Sequence, residues 1–222
     1  MLRAAAAATR TSFGSRIVMA SHRTTLSSPA ASQARSLATA PIGNPLAAEK
    51  YSSGREAALK WAKENGYSEE CLVELPVQWG EQDANAHVNN AVYFRWLETG
   101  RLNFMRVLGS HLQNEQAAKD LSGSGKGKGV ILARITFDYR RPVMQPDNVL
   151  IAHKPVEVAA RKLVLHGSVY SYSQQAVVGE SDSVMVAYDY DATKSCEWDP
   201  ELIRLLVERG AEQKQKGGEA KL

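Results

Sequence analysis

The sequence DANAHVNNAVY at residues 83–93 decides the fold, because its periodicity changes partway through. Polar side chains first occupy every second position, from Asp83 to Asn89, and an extended backbone would point them all to one side. The apolar residues that follow are spaced by three, four or their sums, as on one stripe of an α-helix. With Asn89 or Asn90 as N-cap, the spacing predicts a helix over about residues 90–108. Its apolar stripe would comprise Tyr93, Trp96, Leu97, Gly100, Phe104 and Leu108.

A carboxylate placed beside a helix N-terminus has a chemical use. The first backbone N–H groups of a helix have no intrahelical partners and carry the positive end of the helix dipole, so they can hold an oxyanion. If a substrate carbonyl points at those donors, Asp83 is close enough in sequence to attack its carbon, or to take a proton from a water molecule that does. The pattern therefore predicts acyl transfer to water.

These residues resemble the signature of the hotdog-fold acyl thioesterases, in particular the 4-hydroxybenzoyl-CoA thioesterase-like group. The matching strings are WGEQD at residues 79–83 and HVNNAVY at residues 87–93. The resemblance implies that Asp83 serves as general base or nucleophile. It also implies that the backbone N–H groups of Asn89 and Asn90 polarise the thioester carbonyl.

The same stretch is similar to plant acyl-ACP thioesterases, in which the matching Asp, Asn and His have catalytic or substrate-orienting roles. This similarity adds Asn85 and His87 to the candidate catalytic residues. Ala86 departs from many relatives, which carry glycine there, and alanine takes a positive φ less readily. The resemblance further implies an acyl-CoA or acyl-ACP substrate, no cofactor, and a homodimer or homotetramer with sites at the subunit interface.

Four runs of alternating apolar and polar residues follow the helix and end at turn residues, as strands do. One further strand, over residues 72–79, precedes the helix, and short helices are predicted at residues 53–65 and 199–209. Short connections between the later strands favour antiparallel neighbours. The predicted class is α+β: a single hotdog domain with a curved antiparallel sheet around a long central helix. The four runs begin near Val130, Val149, Leu163 and Val184.

The N-terminal segment has a composition of its own. Residues 1–37 contain five arginines, no lysine and no acidic residue, among many Ala, Ser and Thr. This composition is typical of a mitochondrial transit peptide and predicts a location in the mitochondrial matrix. The predicted organisation is a transit peptide at 1–37, an extension with a short helix at 38–66, the hotdog domain at 67–195, and a C-terminal helix and tail at 196–222.

Charge, hydropathy and cysteine usage exclude several classes of function. Removing the five arginines from the 27 basic residues leaves 22 against 24 acidic residues, a formal charge of −2 in place of +3. No concentrated basic face remains, which disfavours binding to nucleic acid. No apolar run approaches the ~20 residues that span a bilayer. The two cysteines and five histidines show no zinc-ligand spacing, so no metal is expected.

The other polar residues admit structural explanations. Glu98 is expected to form an ion pair with Arg101 or Arg95 on the helix surface. His153 and His166 lie on apparently solvent-facing positions of their strands. Two basic pairs fit either the nucleotide phosphates of CoA or a solvated sheet edge, namely Arg140 with Arg141 and Arg161 with Lys162.

The function predicted from these observations is hydrolysis of an acyl-CoA to the free acid and CoA. Three alternatives remain open at this level. An acyl-ACP thioesterase would act on a different carrier, a hydroxyacyl-thioester dehydratase would release no thiol, and a hotdog subunit without catalytic activity would do neither.

Overall fold

One curled antiparallel sheet wraps around a long helix in the structure, a computed structural model that describes residues 52–214. The predicted transit peptide at residues 1–37 and most of the predicted C-terminal tail lie outside the described residues. The arrangement is the single hotdog α+β domain that the sequence predicts. Its five main strands are β1 (Val73–Pro76), β2 (Lys128–Tyr139), β3 (Asn148–Val158), β4 (Lys162–Ser171) and β5 (Ala176–Asp189).

The strands follow the order β1-β3-β4-β5-β2, and each pairs antiparallel with its neighbours. Two short strands extend the sheet, β6 (Lys194–Ser195) beside β5 and β7 (Glu212–Gln213) parallel to β3. Four α-helices accompany the sheet within the described residues: α1 (Ser52–Glu64), α2 (Asn90–Ser110), α3 (Glu115–Leu121) and α4 (Pro200–Glu208).

The central helix α2 buries the apolar stripe that its spacing predicts. All six residues of that stripe are buried, and Asn89 is the N-cap. The helix passes close to the sheet at Gly100, where an added Cβ would lie 2.6 Å from Cγ2 of Ile151. This close approach requires glycine, and it brings the N-terminal half of α2 against β1 and β3.

Most predicted elements are confirmed, although some of their boundaries differ from the prediction. The first strand ends at Pro76 instead of residue 79, since proline has no N–H for a strand ladder, and Trp79–Glu81 forms a 3₁₀ turn. The last main strand begins at Ala176, well before the predicted Val184. The short helix α3, capped by Asn114, was not predicted.

Strand β2 forms one edge of the sheet. It pairs with β5 on one side, and no strand of residues 52–214 pairs with the other side. Ile131 and Leu132 of β2 are exposed, as are Phe94 and Leu102 on α2. The ring of Phe94 lies 6.1 Å from that of Phe137 of β2, so helix and strand share an exposed apolar flank.

Two predictions about polar residues are wrong. Glu98 forms no ion pair with Arg101 or Arg95. Arg101 instead turns inward, is 6% exposed, and has as its one hydrogen-bond partner in the described chain Oγ of Ser183, at 3.4 Å. His153 is buried between Gly100 and Gly167, whereas the sequence suggested a solvent-facing position. Burial, together with the charges of Arg101 and His166, lowers the pKa of His153 to about 3.

The described residues contain neither a membrane-spanning helix nor a group of metal ligands. Within residues 52–214, no helix has both the length and the hydrophobicity needed to cross a bilayer. In the same range, no three His, Cys, Asp or Glu side chains are grouped in a way that could hold a metal ion.

Candidate active site

The polar string before α2 folds into a tight turn. The N–H of Asp83 donates to the carbonyl of His87 at 2.8 Å, and the N–H of Ala86 donates to the carbonyl of Asp83 at 3.0 Å. Gln82 and Val88 form an isolated bridge across the base of the turn. The alternation of polar residues therefore does not reflect an extended strand. The chain reverses instead, and this reversal carries Asp83 back towards the start of the helix.

Ala86 takes a left-handed conformation in this turn, with φ 59°. The backbone geometry that glycine favours at this position is thus formed by alanine. A left-handed residue with a Cβ costs roughly 1 kcal/mol. The turn keeps its shape at the expense of some stability.

The Asp83 side chain is held by its own turn. The N–H of Asn85 donates to Oδ1 of Asp83 at 2.7 Å, an Asx-turn contact that fixes the carboxylate. No described residue donates a hydrogen bond to Oδ2 or forms an ion pair with this side chain. The half-buried carboxylate therefore keeps one oxygen available for chemistry.

The start of α2 leaves one backbone donor free. The N–H of Asn89 donates to the carbonyl of Glu81 at 2.8 Å, and that of Ala91 donates to Oδ1 of Asn89 at 2.9 Å. The N–H of Val88 donates to the carbonyl of Val143 at 2.8 Å. Among the described residues, the N–H of Asn90 has no acceptor. Of the two backbone donors that the sequence suggested, Asn90 is thus the one that can bind a ligand.

Glu81 fixes the orientation of this donor. Besides accepting from Asn89, it accepts from the indole Nε1 of Trp96 at 3.2 Å and from the N–H of Gln78 at 2.7 Å. These contacts join the segment before the turn to the first two turns of α2. The sequence string WGEQD therefore has a positioning function in addition to supplying Asp83.

An open pocket of about 470 Å³ brings the site residues together. Asp83, His87 and Asn90 line it, whereas the side chain of Asn85 is exposed and lies outside the lining. The pocket thus brings three of the predicted residues together. Asn85 contributes only its backbone N–H, which donates to Asp83. The complete lining is Asp83, His87, Val88, Asn90, Tyr93, Tyr139, Arg140, Arg141 and Pro142.

Two tyrosines form the wall of the pocket, and sequence reasoning missed them as site residues. The hydroxyl of Tyr139 donates to the carbonyl of Asn90 at 3.0 Å, which ties the end of β2 to the helix start. Burial raises the pKa of Tyr93, and the nearby backbone of Val143 opposes part of this rise. The rings of Tyr93 and Tyr139 meet edge to face, 5.3 Å apart. The Tyr-Arg-Arg-Pro string that ends β2 was the available sequence indication.

The two basic pairs differ in location. Arg140 and Arg141 lie in the pocket lining, and Arg140 forms an ion pair with Glu180. Arg161 is exposed outside the lining, and Lys162 pairs with Glu157 at 2.7 Å. One arginine pair therefore belongs to the site, and the other to the surface of the sheet.

Comparisons with known proteins cover the part of the chain that contains the pocket. The sequence profile of the Thioesterase-like superfamily matches residues 77–206, which include the entire pocket. Among solved structures, the thioesterase candidate PA2801 of Pseudomonas aeruginosa is 25% identical, with a TM-score of 0.53, over 61% of this chain and 96% of its own. No protein with a curated description matches the chain by sequence.

Other solved structures are more distant and show the fold alone. The thioesterase candidate YbaW of Escherichia coli is 20% identical over 62% of this chain and 96% of its own, with a TM-score of 0.50. The DHNA-CoA thioesterase of Staphylococcus aureus is 13% identical over 65% of this chain and 96% of its own, with a TM-score of 0.51.

Proposed function

The chain belongs to the Thioesterase-like superfamily, and from that premise we propose that it hydrolyses an acyl-CoA to the free acid and CoA. One observation carries the proposal. A carboxylate with an unengaged oxygen, Asp83, and a backbone donor without an acceptor, Asn90, line the same pocket. These are the two groups that cleavage of a thioester needs.

The N–H of Asn90 binds the carbonyl oxygen of the substrate. Charge develops on that oxygen as the carbon becomes tetrahedral, and a donor fixed in advance stabilises the charge without reorganisation. The contacts of Glu81 and Tyr139 on either side of Asn90 hold this donor in place. Loss of one such donor typically costs about 3 kcal/mol of transition-state stabilisation.

Asp83 supplies the attacking oxygen in one of two ways. As a general base, it takes a proton from water while the water oxygen bonds to the carbonyl carbon; the C–S bond then breaks, and the proton passes to the leaving thiolate. As a nucleophile, its carboxylate forms an anhydride and the C–S bond breaks to release the thiolate, which takes a proton from solvent; water then hydrolyses the anhydride to the acid and the Asp83 carboxylate. In both routes His87, half-buried in the lining, orients the water or the substrate, and the Asn85 N–H holds Asp83.

The test is thiol release by the full chain from a panel of acyl-CoA and acyl-ACP substrates. We expect release with at least one acyl-CoA, and its loss in Asp83→Asn. Asp191→Asn is the matched control, because Asp191 is exposed in a distant turn and asparagine keeps its acceptor for the N–H of Gly127.

The same experiment separates the alternatives. Equal rates in wild type and Asp83→Asn would contradict the role of Asp83. Thiol release from acyl-ACP substrates alone would identify the chain as an acyl-ACP thioesterase. Conversion of hydroxyacyl or enoyl thioesters without thiol release would indicate a dehydratase. A chain that does none of these would be a subunit without catalytic activity.

The active form in this proposal is a homodimer, or a tetramer built from two such dimers. Support comes from the unpaired edge of β2 and the apolar flank that it shares with α2. On the same helix, Glu98 lacks an ion-pair partner among the described residues, as does the buried Arg101. Light scattering on the full chain tests the assembly, and a monomeric mass at assay concentrations would contradict it.

The proposed location is the mitochondrial matrix. It rests on the arginine-rich, acid-free composition of residues 1–37. Imaging of the full chain carrying a C-terminal fluorescent protein, beside a version that begins at Ala38, tests it. Identical distributions of the two versions would contradict it.

A further inference from the structure

Arg141 is a guanidinium without a partner at the active site. It lines the pocket together with Asp83 and Asn90, and it forms no ion pair or side-chain hydrogen bond with any described residue. Its neighbour Arg140, by contrast, is paired with Glu180. The backbone N–H groups of both arginines donate to the carbonyl of Val178, at 2.9 and 3.1 Å, so this part of the chain is fixed.

The catalytic carboxylate does not serve as the missing partner. Asp83 and Arg141 share the pocket lining but form no ion pair, and Oδ1 of Asp83 is engaged by its own turn. The exposed Arg141 guanidinium thus has no ion-pair partner in the described chain and is accessible to a ligand in the pocket. A planar guanidinium is suited to bidentate binding of a carboxylate or phosphate.

The size of the pocket decides which end of the substrate carries the matching anion. Its volume is about 470 Å³, within the usual range for small-molecule sites. With the thioester carbonyl at Asn90, the phosphates of CoA or a carrier protein lie a full pantetheine arm away, which is longer than such a pocket is wide. An anion held by Arg141 in the same pocket is therefore closer to the acyl side of the thioester.

We propose that Arg141 binds a carboxylate on the acyl group, so that the preferred substrates are ω-carboxyacyl thioesters, which are monothioesters of dicarboxylic acids. This inference rests on the proposed hydrolase function and narrows its substrate class. Val88, Tyr93 and Pro142 give the same pocket an apolar wall for the methylene groups between the two carbonyl carbons. The carboxylate at the far end then meets the unpaired guanidinium.

The experiment compares substrates of equal length that differ in the terminal charge. Kinetics of the full chain are measured with succinyl-, glutaryl- and adipyl-CoA against butyryl-, pentanoyl- and hexanoyl-CoA. We expect kcat/KM to favour at least one carboxyacyl member of these pairs by about tenfold or more, as a charge-assisted hydrogen bond allows. Arg141→Gln should remove that preference by lowering kcat/KM for the carboxyacyl member of a pair far more than for the neutral member, and Arg141→Lys should restore part of the preference.

Two controls identify the source of the anion. Arg161→Gln makes the same charge change on the exposed sheet surface and should preserve the preference. The same acyl groups on N-acetylcysteamine, a thiol without phosphate, should still show the preference and its dependence on Arg141. A loss in Arg141→Gln that is equal for both CoA members of a pair and absent with this carrier would assign Arg141 to a phosphate and overturn the inference.

The outcomes distinguish this inference from the proposed function. Hydrolysis with no preference for carboxyacyl groups, or an equal loss for both members of a pair in Arg141→Gln, would overturn the inference and leave the hydrolase standing. Failure to release thiol from any thioester would instead contradict the proposed function.

Discussion

Two aspartates at the ends of neighbouring loops have opposite surroundings. Asp147 is 3% exposed and accepts four hydrogen bonds, at 2.5 to 2.9 Å, from the hydroxyls of Ser171 and Ser173 and the N–H groups of Asn148 and Ser173. Asp83 is half-buried and accepts one hydrogen bond, from a residue of its own turn.

The difference separates a structural carboxylate from the one for which we propose a role in the reaction. A carboxylate has about four acceptor positions, and Asp147 uses them to hold the end of the loop that lines the pocket. Asp83 keeps most of its acceptor capacity and faces an open pocket. Unused bonding capacity at a fixed position therefore distinguishes the proposed reactive group from Asp147, which residue type alone does not.

The largest effect on activity is expected for Asp83→Asn. Asparagine keeps an acceptor for the N–H of Asn85 but cannot act as base or nucleophile. We expect kcat to fall by about 10³-fold, within the range for a general base, while the free energy of unfolding stays within about 0.5 kcal/mol of wild type. Steady-state kinetics and urea denaturation together check this. A comparable loss of stability would place Asp83 with Asp147 as a structural residue.

Asp147→Asn should show the opposite pattern. Asparagine keeps one oxygen for the N–H groups of Asn148 and Ser173, but its NH2 group faces the hydroxyls of Ser171 and Ser173, which lose their charged acceptor in a buried place. We expect the free energy of unfolding to fall by about 2 kcal/mol or more. Denaturant titration measures it, and an unchanged midpoint would show that these contacts contribute little.

The buried His153 makes the stability of the fold depend on pH. The folded-state pKa of His153 is about 3, against 6.5 for the free side chain, so below pH 6.5 the unfolded state binds a proton that the folded state does not. Stability linked to His153 is therefore lost as pH falls from 6.5 towards 3, by about 2 kcal/mol at pH 5.

Replacement with an apolar residue isolates this contribution. Between pH 7 and pH 5, the free energy of unfolding should fall by about 2 kcal/mol less in His153→Leu than in wild type. His87→Leu is the matched control, because His87 lies in the open pocket. Equal pH dependence in wild type and His153→Leu would contradict the buried, neutral state.

The smallest effect is expected at Ala86. Glycine adopts the φ of 59° without the steric cost of a Cβ, so Ala86→Gly should raise the free energy of unfolding by roughly 0.5 kcal/mol. Hydrolysis should be unchanged, since the turn already has its working shape. A large gain in rate would show that alanine distorts the position of Asp83.

The fold was predictable because periodicity is a local property of the sequence. The stripe from Tyr93 to Leu108 and the alternating runs after Val130 place the helix and most strands correctly. The turn at residues 83–87 could not be predicted in this way, because alternating polar residues also fit an extended strand. Its reversal depends on side-chain to backbone bonds such as that of Asn85 to Asp83.

Other features depend on contacts between distant segments. Asn89 and Asn90 are equivalent candidates in the sequence, and the carbonyl of Glu81 decides between them. His153 is buried because Gly100 and Gly167 leave room for its ring on both sides, which strand phase alone does not reveal. The position of Arg141 beside Asp83 follows from the path of the loop after β2, and no local pattern encodes it.

The unpaired edge of β2 also affects how the chain folds. No strand of residues 52–214 pairs with this side of the twelve-residue β2, although side chains engage the backbone at Lys128 and Val130. With the exposed Ile131 and Leu132, the rest of the edge is a template onto which another polypeptide can add. In the proposed assembly a second chain covers that edge, and aggregation through the same edge would compete with this assembly. Arg134 and Asp138, charged and exposed along the same strand, act as gatekeepers against the second outcome.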